Sequence, residues 1–263
     1  MRLKDFKMFR RKNKIKLDRS ISFPFSAGIQ EVRKNPFVGE TRISVNTLKY
    51  RSDEFTKEHN GLHILFSGCS NTYGDGLYDN EMWSKILYNK ISANTQTSGF
   101  FNLGSPGQGI VVIILNIFKY IYNFGKPDVL FINFPVSRRF ITYNKTNDRF
   151  IEINYNKPTK DTYELWQSIP LFEYHYIFML EQFCKHSGIK LFYGTWDQDN
   201  HFGMYDNLEY FININDEKMI SDYIINNKDD KFATNARDGL HFGTAFNNTW
   251  AQVLYNIYME QTK

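Results

Sequence analysis

Residues 62–74 read LHILFSGCSNTYG, and this stretch decides the fold. Leu62 to Phe66 form a short apolar run, which is the length and composition of one buried strand. A turn with Gly68 and Gly74 follows the run and interrupts its pattern. Largely apolar strands of this kind are typical of parallel sheets, because helices cover both of their faces. The stretch therefore predicts the first strand of an α/β domain.

The same alternation continues from Gly61 to the C-terminus. Apolar strands and longer helical patterns follow one another, which favours parallel pairing with helices on both faces. We therefore predict a three-layer α/β/α sandwich with a mainly parallel, flavodoxin-like central sheet in residues 61–263. The further strands are predicted at Phe100–Leu103, Val129–Phe134 and Ile189–Tyr193, and the helices at Glu81–Ile91, Ile110–Phe124, Leu171–His186, Asp216–Asn226 and Thr244–Met259.

Composition excludes several classes of protein. The chain has 263 residues, of which 42% are hydrophobic and 23% charged, as expected for a globular protein rather than a disordered or fibrous one. Its apolar runs fall well short of the roughly 20 residues that a membrane span needs. Its 2 cysteines cannot form a disulfide framework or a four-cysteine zinc site. The histidines lack metal-ligand spacing, so we expect no metal and no cofactor.

Charge is distributed unevenly along the chain. Residues 1–19 hold nine Lys and Arg against two Asp, a local charge of +7, and the rest of the chain carries about −3. A slightly acidic body argues against a nucleic-acid partner. We predict that residues 1–19 form a basic, mobile tail, either solvated or docking on an anionic polymer or membrane surface. Residues 20–60 are predicted to be an irregular extension packed on the core.

The N-terminus lacks the apolar segment of a secretory signal. The default location is therefore the cytoplasm of the producing cell, and release by lysis or incorporation in a particle is compatible with the sequence. The oligomeric state is left open.

Polar residues capable of serine chemistry lie where the predicted strands end, which is where open α/β sheets place their sites. Ser70 follows the first strand in the glycine turn. Asp238 and His241 precede the last helix and are three residues apart, so one loop can deliver both. A serine becomes a nucleophile when a histidine takes its proton and a carboxylate orients that histidine.

These blocks resemble the SGNH (GDSL-type) hydrolase superfamily. The family's first block, Gly-Asp-Ser-x-Thr-x-Gly, is matched by residues 68–74 except for Cys69 at the acidic position, and its last block, Asp-x-x-His, by residues 238–241. The resemblance covers about residues 61–260. It implies that Ser70 is the nucleophile, His241 the base and Asp238 the orienting carboxylate.

The resemblance also implies an oxyanion hole formed by the backbone N–H groups of Ser70 and Gly104. The family's third donor is the Asn of a Gly-x-Asn-Asp block, which is replaced here by a Pro/Ser/Arg segment at residues 135–138. Ser137 falls at the position of that Asn. Asn133 and Arg138 are the alternative donors.

The predicted reaction is removal of a small acyl group, such as acetyl, from a carbohydrate or similar alcohol ester through an acyl-enzyme. Trp196 and Asp197 follow the fourth strand, where they either contact the substrate or are solvated turn residues. The same triad in an O-acyltransferase would pass the acyl group to a hydroxyl. The other alternative is a non-catalytic binding or structural protein that keeps the fold.

Overall fold

The computed structural model describes residues 31–35, 39–135, 139–144, 149–154, 163–195, 208–212, 214 and 216–262. The predicted basic tail lies outside these residues, as do four of the predicted site residues, Ser137, Arg138, Trp196 and Asp197.

Eight strands and six helices are assigned in the described residues. In chain order they are β1 (Glu31–Asn35), β2 (Gly39–Ile43), β3 (Ile64–Gly68), α1 (Ser70–Tyr73), α2 (Trp83–Ser92), β4 (Phe101–Asn102), α3 (Ile110–Phe124), β5 (Val129–Phe134), β6 (Arg139–Asn144), β7 (Arg149–Asn154), α4 (Tyr163–Ser187), β8 (Lys190–Thr195), α5 (Glu217–Asn226) and α6 (Thr244–Gln261). A 3₁₀ turn, Asp79–Glu81, precedes α2.

The central sheet contains four parallel strands in the order β4-β3-β5-β8. Counted along the sheet strands alone, this is the order 2-1-3-4 of a flavodoxin-like fold. The predicted α/β class and parallel sheet are confirmed. Near the carboxyl ends of the strands, Gly68, Asn133 and Gly194 lie side by side on β3, β5 and β8.

Two apolar layers hold helices against the sheet. On one face Leu65, Leu130 and Ile132 pack with α3 and α4. On the other face Phe66 and Phe131 pack with α2 and α6. The burial of successive strand residues on alternate faces explains why β5 is apolar throughout. No helix in the described residues is long and apolar enough to cross a membrane.

Two antiparallel hairpins were not predicted from the sequence. β1 pairs with β2 in the stretch expected to be irregular, and β6 pairs with β7 between β5 and α4. The strands of both hairpins mix charged and polar residues with apolar ones, which is a weaker signal than the apolar runs of the central sheet. Helix α4 begins at Tyr163, before the predicted Leu171, because Pro170 lies inside the helix rather than at its start.

Candidate active site

Ser70 stands immediately beyond β3, as the first residue of the short helix α1. The turn requires glycine at position 68, because a Cβ there would overlap the hydroxyl of Thr72 and the carbonyl of Asn133. The Ser70 side chain is 8% exposed, and its hydroxyl lies 3.9 Å from Cys69 Sγ. Its backbone N–H has no acceptor among the described residues. Ser70 therefore offers both a hydroxyl and a free amide at the end of the sheet.

Asp238 and His241 are in direct contact. His241 Nδ1 lies 2.5 Å from Asp238 Oδ2, and the His241 backbone N–H donates to Asp238 Oδ1 over 3.0 Å. Because a carboxylate only accepts, Nδ1 carries the proton and the lone pair of the neutral ring is on Nε2. His241 Nε2 makes no hydrogen bond to a described residue. The contact leaves Nε2 available to take a proton.

The Asp238 carboxyl group is electrostatically prepared to stay ionised. Partial burial raises its pKa, but hydrogen bonds from the backbone N–H groups of His241 and Leu240 and from the His241 ring outweigh burial, and the net pKa is lowered. An ionised carboxylate at this position stabilises a positive charge on the imidazole. The electrostatics of the pair therefore suit a histidine base and the carboxylate that orients it.

The loop that carries this pair packs on the loop that follows α1. The 235–242 loop is closed by an antiparallel bridge between Asn235 and Phe242. A Cβ at Gly76 would lie 2.9 Å from Asp238 Cγ, so only glycine allows this approach. Ser70 and His241 make no hydrogen bond to each other in this structure. The structure thus brings Asp238 and His241 together and anchors their loop beside the segment that continues from Ser70.

Gly104 lies against α1, but its amide is occupied. A Cβ at Gly104 would lie 2.5 Å from the Tyr73 nitrogen, and the Gly104 N–H donates to Asn102 Oδ1 over 2.8 Å. Asn102 also donates from Nδ2 to the Thr72 carbonyl over 3.1 Å. Asn102 therefore bridges the turn after β4 to α1, and the predicted oxyanion donor at Gly104 is shared with that bridge.

Asn133 is the one alternative third donor within the described residues. Asn133 is 1% exposed, and neither its side-chain oxygen nor its side-chain nitrogen has a hydrogen-bond partner among the described residues. Asn133 lies on the same sheet face as Phe131, which is the face that α6 covers. Its neighbours on the two adjacent strands are Gly68 and Gly194. A buried amide without partners is costly, and each such group calls for an explanation. A ligand oxygen or an ordered water would satisfy it.

Metal binding finds no support in the part of the chain that the structure describes, where no group of three or more His, Cys, Asp and Glu side chains is placed to hold an ion. The predicted substrate contacts, Trp196 and Asp197, lie outside the described residues.

Comparison with known proteins gives no family. No family model matches the sequence, and no curated protein matches it. Among solved structures, the chain is similar to one from Bacteroides fragilis NCTC 9343 described as a "putative acylhydrolase". The TM-score is 0.40 and the identity is 14%, over 79% of this chain and 91% of that one.

Sequence reasoning missed the residues that join these loops. Arg51, Glu81, Asn102 and Arg237 all make hydrogen bonds to the segment that follows Ser70 or to the turns beside it. Arg237 directly precedes Asp238, and that adjacency was the one available signal. Arg51 and Glu81 have no motif around them that would distinguish them from surface charges.

Proposed function

We propose that this protein is a serine hydrolase that cleaves small acyl esters through an acyl-enzyme, with Ser70 as nucleophile, His241 as general base and Asp238 as the orienting carboxylate. The observation that carries the proposal is the Asp238–His241 contact, which turns Nδ1 of the ring to the carboxylate and leaves Nε2 facing away from it, on a loop packed beside the segment that continues from Ser70.

The reaction balances with these three residues. Ser70 Oγ attacks the ester carbonyl carbon while its proton passes to His241 Nε2, and the carbonyl oxygen becomes an oxyanion. Collapse of this intermediate breaks the bond to the alcohol oxygen, which takes the proton from His241. A water molecule then attacks the acyl-enzyme, gives one proton to His241 and releases the carboxylic acid, and Ser70 recovers its proton. Asp238 stays ionised throughout and stabilises the imidazolium.

Closure of the site has to bring Ser70 Oγ within reach of His241 Nε2. Catalytic hydrogen bonds are often long in the absence of substrate and tighten in the complex. The tip of the 235–242 loop is suited to this movement, because Leu240 is 82% exposed and a Cβ at Gly239 would meet no atom within 4 Å.

The proposed oxyanion hole uses donors that are unoccupied in the described structure. Within the part of the chain that the structure describes, the Ser70 N–H has no acceptor and the Asn133 amide is buried without a partner. We favour Asn133 as the third donor over Ser137 and Arg138, which the structure does not describe. The Gly104 N–H joins the hole only if it leaves or shares Asn102 Oδ1. Each donor of this kind contributes about 3 kcal/mol to transition-state stabilisation.

The proposed substrate class is an acetylated carbohydrate or a similar alcohol ester. Its support is the resemblance of the sequence blocks to a superfamily that includes many polysaccharide deacetylases. A sugar hydroxyl in place of water in the second step would give acyl transfer by the same residues.

The test uses p-nitrophenyl acetate hydrolysis together with fluorophosphonate labelling read by intact mass. We expect turnover and one adduct in the wild-type protein and neither in Ser70→Ala. Ser92→Ala is the matched control, because Ser92 is on the exposed end of α2 and its hydroxyl bonds to no described residue other than Asn89, whose carbonyl accepts. Labelling that persists in Ser70→Ala would overturn Ser70 as nucleophile.

A non-catalytic binding protein is the second candidate, and two observations favour it. Ser70 and His241 make no hydrogen bond, and the Gly104 amide is engaged by Asn102. Absence of turnover and adduct from folded wild-type protein would support this candidate. Acetylated oligosaccharides would then be tested as ligands rather than substrates.

A further inference from the structure

The segment between α1 and α2, residues 74–81, is held from one side by a buried arginine. The Arg51 side chain is 1% exposed and donates to the carbonyls of Gly74 over 2.6 Å and of Leu77 over 3.1 Å. It also forms an ion pair with Asp79. Two backbone carbonyls and a carboxylate thus fix the α1–α2 segment to the chain that precedes the sheet.

A second arginine holds the same segment from the other side. Arg237 donates to both carboxylate oxygens of Glu81, over 2.5 and 2.8 Å, and its backbone N–H donates to the Gly76 carbonyl over 3.1 Å. Its guanidinium lies over the rings of Tyr78 and Phe232, 3.8 and 4.4 Å from their centroids. Arg237 and Glu81 are 13% and 19% exposed, so this fork is largely shielded from solvent.

The Arg237 contacts anchor the loop that carries the Asp238–His241 pair. Inside the 235–242 loop, the Ala236 N–H donates to the His241 carbonyl over 2.9 Å, which makes the loop a compact unit. Its tip is open, as the exposure of Leu240 indicates. The placement of the unit relative to α1 therefore depends on Arg237 and on the close approach of Asp238 to Gly76.

We propose that Glu81 and Arg237 are positioning residues that set the distance between Ser70 Oγ and His241 Nε2. This inference rests on the proposed function. Glu81 belongs to the segment that continues from the nucleophile, and Arg237 is the neighbour of the orienting carboxylate. The bidentate pair joins the two halves of the site. Its two partners, Glu81 and Arg237, are 156 residues apart in the sequence.

The geometry needs the guanidinium and not simply a positive charge. A carboxylate accepts two parallel N–H groups from arginine, and the planar group stacks on the two aromatic rings at the same time. Lysine at position 237 keeps the charge, but it offers neither the fork nor the stacking surface. Displacement of a catalytic group by about 1 Å lowers the rate about 100-fold.

The experiment measures fluorophosphonate labelling rate, kcat and KM for p-nitrophenyl acetate in wild type, Arg237→Lys and Glu81→Gln. We expect labelling rate and kcat to fall about 10- to 100-fold in both variants, with KM within about twofold of wild type. Arg237→Ala adds a separate readout, because millimolar guanidinium should restore part of its labelling rate. Glu209→Gln is the control, since it removes the exposed ion pair that Glu209 makes with Lys185 at the end of α4.

The outcomes separate this inference from the proposed function. An unlabelled wild-type protein overturns both. A labelled wild type with Arg237→Lys and Glu81→Gln labelled at the same rate overturns the positioning role alone. Circular dichroism of the same samples measures the fraction of folded protein. If loss of folded protein accounts for the whole fall in labelling rate, the positioning role is also overturned. Retained folding with slow labelling and guanidinium rescue supports it.

Discussion

The buried histidine His63 should make this protein less stable in acid. Its side chain is 2% exposed, and its ring stacks on the His59 ring with centroids 3.6 Å apart. Nδ1 faces the Lys126 carbonyl and must donate, so Nε2 accepts from the Tyr120 hydroxyl 2.9 Å away. Both positions are satisfied by the neutral ring. The nearest carboxylate, Asp128, accepts from the His63 backbone N–H.

The pKa of His63 gives the size of the effect. Burial, then the neighbouring His59, lowers it from 6.5 to about 4, against smaller opposing contributions from Lys126 and Asp128. Below pH 6.5 the unfolded chain therefore binds a proton that the folded protein does not. The stabilisation is complete above pH 6.5 and is lost as the pH falls toward 4. Linkage gives a loss of roughly 2 to 3 kcal/mol at about pH 4.5.

The assay is urea unfolding followed by tryptophan fluorescence, at several pH values between about 7 and about 4.5. Wild type is compared with His63→Gln, so that the carboxylates common to both proteins cancel. We expect the wild-type free energy of unfolding to fall roughly 2 to 3 kcal/mol further than that of the variant. His175→Gln, at an exposed position on α4, should follow wild type. Parallel curves for wild type and His63→Gln would refute the reasoning.

Three further substitutions test the packing and the site. We expect Gly104→Ala to lower the free energy of unfolding in urea by about 3 kcal/mol, because the added methyl group meets the backbone of α1. Gly107→Ala is the comparison: its methyl group has free space, and the substitution costs about 1 kcal/mol because Gly107 has a positive φ. Tyr193→Phe removes the hydroxyl that donates to the buried Glu181 carboxylate over 2.7 Å, so thermal unfolding should show a loss of about 1.5–3 kcal/mol, and an unchanged melting temperature would contradict it. Asn133→Ala should lower kcat about 100-fold while costing at most about 1 kcal/mol of stability, because its amide bonds to no described residue; an unchanged kcat would remove it from the oxyanion hole.

The sheet was predictable because its signals are local. β5 lies exactly where Pro127 and Pro135 bracket an apolar run, and α3 ends where Gly125 follows it. The contact between Asp238 and His241 was predictable for the same reason, since three residues of a turn separate them. The predicted start of α4 was wrong because a proline within the first turns of a helical pattern resembles a helix boundary.

The remaining features of the site depend on distant pairs. The engagement of the Gly104 amide by Asn102 follows from the exact path of the turn after β4, which no sequence pattern specifies. Glu81 and Arg237 are ordinary charged residues until the fold brings them together. The Asn133 side chain has no described hydrogen-bond partner because its neighbours on the two adjacent strands, Gly68 and Gly194, have no side chains. This arrangement becomes visible only in three dimensions.

The buried Arg51 has a consequence for cooperativity. A guanidinium keeps its charge at every physiological pH, so it cannot enter the interior before its partners are in place. Those partners belong to the segment after Ser70. Tyr50, the neighbour of Arg51, packs in the apolar layer between the sheet and helices α3 and α4. Residues 43–60 and the sheet must therefore form in one transition. Loss of either would unfold the other, so residues 43–60 are part of the smallest unit that can fold.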